Sequence, residues 1–138
     1  MSANIPKTSG ALLAGLASNV VLTVSMDLAL SASGLLPPFG TGYSQPGLLF
    51  LALTYRTLFA GVGGFLTARA APFAPRRHVA WLTLIGLLIG LVSAMGGRAM
   101  FPAWYLLGIV ALSVPATWLG GSLGSSRPAT PRTLAHRD

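Results

Sequence analysis

Two residues of opposite charge, Asp27 and Arg56, stand inside stretches that are otherwise apolar, and they carry most of the chemical capacity of the chain. A carboxylate in such a setting can take up and release a proton or hold a cation; next to a guanidinium it can instead form an ion pair. Other chemistries lack parts. There is no Cys, hence no thiol nucleophile, thiolate metal site or disulfide. His78 and His136 have no Cys or carboxylate at ligand spacing, so neither a metal nor a haem site is expected. Asp138 is the only other acid, and no Ser is accompanied by the His and Asp or Glu of a nucleophilic triad. Gly61, Gly63 and Gly64 are not followed by the Gly-Lys-Ser/Thr of a phosphate loop. The chain is therefore read as non-enzymatic and free of cofactors.

The elements that must position Asp27 and Arg56 follow from composition. Of the 138 residues only 8% are charged and 53% are hydrophobic, too few charges to cover a water-soluble domain of this size. A membrane helix needs about 20 mostly apolar residues to cross about 30 Å of hydrocarbon. Four windows qualify, at residues 10–36, 47–68, 79–97 and 102–123, and the expected fold is an all-α, four-helix transmembrane bundle in residues 1–124. Pro37, Pro38, Gly40, Gly42 and Pro46 break the first two spans apart, and Pro115 is expected to kink the fourth. Residues 125–138, rich in Ser, Pro, Thr and Arg, read as a basic, disordered tail.

Lys and Arg in short loops mark the cytoplasmic side. Lys7, Arg69, Arg76, Arg77, Arg127, Arg132 and Arg137 fall on one side and only Arg98 on the other, so both termini are expected in the cytoplasm. A cleaved signal peptide before Ser33 is disfavoured, because the apolar stretch is too long for a signal core and contains Asp27. The excess of positive charge flanks apolar spans rather than alternating with aromatics, so topology and not nucleic acid accounts for it.

At 100° per residue, small and weakly polar residues gather on one side of three spans, where helices in lipid approach closely. The third span presents Thr83, Gly86, Gly90, Ser93, Ala94 and Gly97, and Gly86 with Gly90 reads as a helix-contact groove. The second presents Ala52, Arg56, Ala60, Gly63 and Thr67; the first, Asn19, Thr23, Asp27 and Ser31. The fourth shows no face. Helix packing is assigned to Ala60, Gly63, Gly86, Gly90 and Ala94, within one chain or, as the sharper alternative, between two copies. Trp81, Trp104, Tyr105 and Trp118 match the aromatic belts at membrane edges, and His78 reads as an interfacial residue.

The first hairpin has a register. The midpoint between Asp27 and Arg56 falls between Thr41 and Gly42, inside the Gly/Pro turn, so the two charges sit at equal depth. Nine residues separate each from the outer end of its helix, or about 14 Å at the helical rise. The expectation is an Asp27–Arg56 salt bridge near mid-bilayer, supported by Asn19, Thr23 or Tyr55.

Tyr55-Arg56, Gly63-Gly64, Thr67 to Arg69, Ala71-Pro72, Pro75-Arg76 with His78, Pro102 with Trp104 and Tyr105, and Pro115 with Gly120-Gly121 form a pattern over about residues 46–123. This pattern resembles a group of small four-span bacterial membrane proteins that has no assigned activity. The resemblance implies that the Tyr-Arg pair and the short arginine- and proline-bearing loop are typical features, and the expected location is the inner membrane.

Three functional readings follow. The first is a non-enzymatic multi-pass membrane protein in which Asp27 and Arg56 are scaffold. The second is a small transporter or permeation subunit using Asp27; a carboxylate with its own arginine at matched depth weighs against it. The third is an accessory subunit, or a homo-oligomer, whose basic loop and tail bind a membrane partner or anionic headgroups.

Overall fold

The structure, a computed structural model, describes residues 5–126 and consists of four helices: α1 (Ile5–Ala32), α2 (Pro46–Ala70), α3 (Pro75–Gly97) and α4 (Ala103–Ser125). Each is long and apolar enough to cross a bilayer. The expected tail, with Arg127, Arg132, His136, Arg137 and Asp138, lies outside the described residues apart from its first two positions, Ser125 and Ser126.

The helix ends explain the differences from the expected spans. α1 stops at Ala32 rather than Leu36, because Gly34 takes a left-handed φ of 77° and the Leu35 and Gly34 amides donate to the Leu30 and Ser31 carbonyls, a Schellman motif. α2 and α3 begin on Pro46 and Pro75, a position where the missing N–H has no helical partner to lose. α4 runs uninterrupted through Pro115. We call the end carrying the α2–α3 loop the base and the end carrying the other two loops the top.

The helices run up, down, up, down, yet the tightest contact is not between sequence neighbours. It joins α2 to α4, which lie parallel: Leu53 meets Gly108, Gly61 meets Ala116 and Gly120, and Phe65 meets Gly124. A Cβ on Gly120 would stand 2.6 Å from the Gly61 carbonyl carbon, and one on Gly64 would stand 2.9 Å from that of Thr117. Only side-chain-free residues permit this approach, and without a hydrophobic force between helices in lipid such backbone proximity is what packs them. The fourth helix thus has a face, Tyr105, Leu106, Thr117, Gly120, Gly121 and Gly124, all buried.

The other two helices flank this diagonal pair. α1 lies on α2 through Ala11 and Gly15, where Gly63 approaches and the Thr67 hydroxyl donates to the Ala11 carbonyl at 3.2 Å. α3 packs on α4, Val79 against Gly121, Val110 against Gly90 and Leu106 against Gly97, and it reaches α1 where Leu82 lies against Gly15 near the base. Between α1 and α4 no contact forms among the described residues. Leu13, Val21, Leu58, Leu84, Leu88, Val92, Leu107, Leu119 and Leu123 point outward and are exposed, a girdle of aliphatic surface that hydrocarbon covers and water would not.

Candidate intramembrane site

The upper core is built from Leu49, Ala52, Tyr55, Tyr105 and Leu106, with Met26, Leu30, Tyr43 and Phe101 packed around them. Into this apolar frame α1 sends Asp27 and α2 sends Tyr55 and Arg56. An Arg56 Nη donates to one Asp27 carboxylate oxygen at 2.6 Å, and the Tyr55 hydroxyl donates to the other in a very short hydrogen bond. Consecutive residues of one helix therefore hold both oxygens of the carboxylate. The Asp27 side chain is 15% exposed and that of Arg56 29%. The Arg56 guanidinium also stands 5.9 Å from the Tyr55 ring centre, within cation–π reach.

Of the three residues expected to support the pair, Tyr55 does so. Asn19 and Thr23 bond to each other instead, the Thr23 hydroxyl donating to Asn19 Oδ1 at 3.5 Å. They lie two turns and one turn nearer the base than Asp27, respectively. Ser31 donates to the Pro37 carbonyl at 2.7 Å and ties the end of α1 to the loop.

Two tyrosines that the sequence reading left out of the site complete it. Tyr43, from the α1–α2 loop, and Tyr105, from α4, lie within electrostatic reach of Arg56 and of each other. Their hydroxyls are buried against each other, and Arg56 Nε is buried without an acceptor. Burial pushes the Tyr43 hydroxyl above its ordinary pKa of 10.0. Tyr105 is 1% exposed, so it is a core residue and not part of an aromatic belt, unlike Trp81, Trp104 and Trp118, which are exposed. The signal was available: Tyr105 follows Trp104 by one position, so the two point to different sides of the helix.

Two cavities meet at Arg56. The smaller, about 190 Å³, lies at the top and is lined by Asp27, Ser31, Thr41, Tyr43 and Met100 among others. The larger, about 380 Å³, fills the wedge between α1 and α3 and is backed by α2 and α4. Arg56 and Phe101 line both.

The face predicted on α3 borders this larger cavity. Ala60 and Gly63 line it while also packing against α4 and α1, through the Thr117 hydroxyl and Gly15 respectively. Ala94 packs against the upper core. Gly90 touches only the end of Val110, and a Cβ on Gly86 would meet nothing within 4 Å. Gly90 therefore keeps a contact with α4, whereas Gly86 is not part of the helix-contact groove expected of it: small residues make a helix face smooth, and at Gly86 the smooth face borders space. His78, read as interfacial, is buried at the start of α3 with its Nδ1 3.3 Å from the Ala74 carbonyl and its ring edge-on to Phe73.

Four apolar spans with an aliphatic girdle and a sequestered polar cluster define a multi-pass membrane protein. No protein-family model matches the chain, and neither the curated proteins nor the solved structures contain a match to it.

Proposed function

We propose that the chain is a non-enzymatic inner-membrane protein of bacterial type, with both termini in the cytoplasm, in which Asp27, Tyr55 and Arg56 are scaffold that locks the first hairpin. The observation that carries this reading is the occupancy of Asp27: both of its oxygens are engaged, by two adjacent residues of one neighbouring helix. A carrier carboxylate must exchange its partner for a proton or a cation during each cycle, whereas a carboxylate held from both sides in low dielectric is released only at high cost. The base is also the end where Arg69, Arg76 and Arg77 gather, which supports a cytoplasmic assignment for it.

The experiment is a pair of measurements on the full chain. Proton flux into proteoliposomes is expected to equal that of empty vesicles at every pH; flux that vanishes in Asp27→Asn would replace the scaffold reading with transport. A reporter fused after Leu123 is expected in the cytoplasm, and a periplasmic reporter would overturn the orientation. Transport retains one observation in its favour, the position of Arg56 between two cavities, and the flux assay decides it.

A further inference from the structure

The larger cavity has a way in, a smooth wall and a polar end. Val20 and Val24 of α1 and Ile89 of α3 line it and are also exposed at the surface, so the wedge opens sideways between these helices into the surrounding hydrocarbon. On the α3 wall Gly86 leaves room where any other residue would project a side chain.

The polar groups of the cavity fall into two kinds. The hydroxyls of Thr83, Ser113 and Thr117 donate to carbonyls of their own helices, at 2.8, 2.9 and 2.8 Å, and so are already satisfied as donors. Near Arg56 the balance is reversed. Of the five N–H groups of a guanidinium, Arg56 uses an Nη on Asp27, and its exposed portion borders the cavity. Asn19, nearer the base, lines the cavity as well and accepts from Thr23 through Oδ1. Beside Arg56 the Tyr105 hydroxyl, on a residue almost wholly buried and itself lining the cavity, lies against that of Tyr43. Arg56 Nε is buried without an acceptor, and in a membrane interior water is not at hand to supply one.

We propose that this cavity is a binding site for a neutral lipophile bearing a carbonyl oxygen, which enters between α1 and α3 and accepts a hydrogen bond from Arg56. The carbonyl matches the unused N–H groups of Arg56. Neutrality follows from Asp27, which already balances the Arg56 charge, so that an anion would bring an unpaired charge into an apolar span. The lipophilic body matches the aliphatic and glycine walls. A free ketone- or quinone-type molecule and the ester carbonyl of a glycerolipid share this chemistry. The site goes beyond the scaffold reading and does not depend on it.

The test is photolabelling of the full chain in nanodiscs with diazirine probes of equal length: a long-chain ketone, the corresponding alkane and a phosphatidylcholine. The ketone is expected to label α1 and α3 saturably, the alkane without saturation. Gly86→Leu, which fills the cavity from a position where a Cβ meets nothing, is expected to reduce saturable labelling tenfold or more. Gly96→Leu, the same change on the same helix, equally free of neighbours and outside the cavity, is expected to leave it intact. Ser93→Leu, from an exposed position on the cavity wall, repeats the test should Gly86→Leu fold poorly. Displacement of the phosphatidylcholine probe by the ketone would support the site and assign lipid esters as occupants; saturable ketone labelling without such displacement would support it with a free carbonyl compound. Ketone labelling no more saturable than the alkane's, or unchanged in both Gly86→Leu and Ser93→Leu, would overturn the proposal.

Discussion

Gly120→Ala is the sharpest test of the fold, because the structure assigns it a cost that its chemistry alone does not. One methyl group is added to a membrane helix, and Ala is the better helix former by about 0.8–1.0 kcal/mol. In this fold that methyl would stand 2.6 Å from the carbonyl carbon and 3.0 Å from the Cα of Gly61, backbone atoms that cannot rotate away. Carbon atoms pack best at about 3.5–4.0 Å, so α2 and α4 must separate locally by about 1 Å. A gap of 0.5–1 Å already forfeits about a quarter to a half of each dispersion contact along the seam, and overpacking of this kind costs about 1–3 kcal/mol. Setting the propensity gain against it leaves a net loss of up to about 2 kcal/mol, a factor of up to roughly 30 in the folded fraction. The control is Gly86→Ala, where a Cβ meets nothing within 4 Å and only the propensity gain remains. SDS titration of the two purified variants in mixed micelles measures both. Gly120→Ala is expected to unfold at lower SDS than wild type, and Gly86→Ala at the same or higher SDS. Equal midpoints for the two would refute the α2–α4 crossing.

Further expectations concern the polar site and the loops. Tyr55→Phe removes a hydrogen bond to a charged group and is expected to cost about 1.5–3 kcal/mol in the same titration. Asp27→Asn is expected to lower the steady-state level of inserted protein, and exchange of the two charges, Asp27→Arg with Arg56→Asp, to restore it in part, as immunoblots of membrane fractions would reveal; wild-type levels in each single variant would show that the pair bears no structural load. Ala74, at φ 39° before Pro75, holds a left-handed conformation that favours glycine, and Ala74→Gly is expected to stabilise the chain by about 1 kcal/mol. Tyr43, whose pKa is raised by burial, contributes stability below pH 10.0 that is lost as pH rises past it; Tyr43→Phe is expected to weaken that alkaline loss in SDS titrations at rising pH.

What could be read from the sequence depended on whether charge or size carried the signal. A charge in an apolar span is costly enough to demand a partner, and only one opposite charge stood at equal depth, so the ion pair joining α1 and α2 was legible from Asp27, Arg56 and the turn between them. Size is a weaker guide. On α4 every side is apolar, so periodicity offers no contrast, and the seam through Ala116, Gly120 and Gly124, spaced four apart, was hidden among other small residues. On α3 the same kind of residue was read as contact at Gly86, where it borders a cavity. Small residues state that a helix face is smooth; only the neighbouring helices decide what lies against it.

The two Gly-Gly pairs make this concrete. Gly63-Gly64 on α2 and Gly120-Gly121 on α4 recur in the sequence like a trace of duplication, yet their placement has a packing cause. Adjacent residues on a helix point about 100° apart, so a pair of glycines can admit two neighbours at once. Gly63 faces Gly15 of α1 while Gly64 faces Thr117 of α4; Gly120 faces Gly61 of α2 while Gly121 faces Val79 of α3. Each central helix thereby receives its diagonal partner and one flanking helix at a single level near the base. That same arrangement explains the wedge: α1 and α3 are drawn in where Gly15 and Gly121 allow it, and nothing comparable draws them together higher up, where Arg56 and the bulky Phe101 and Tyr105 stand between them. Gly121→Val, whose Cβ would stand 2.6 Å from both Val79 methyls, would push α3 outward at its tight end. It should therefore alter ketone photolabelling of the cavity from a site that the cavity does not include.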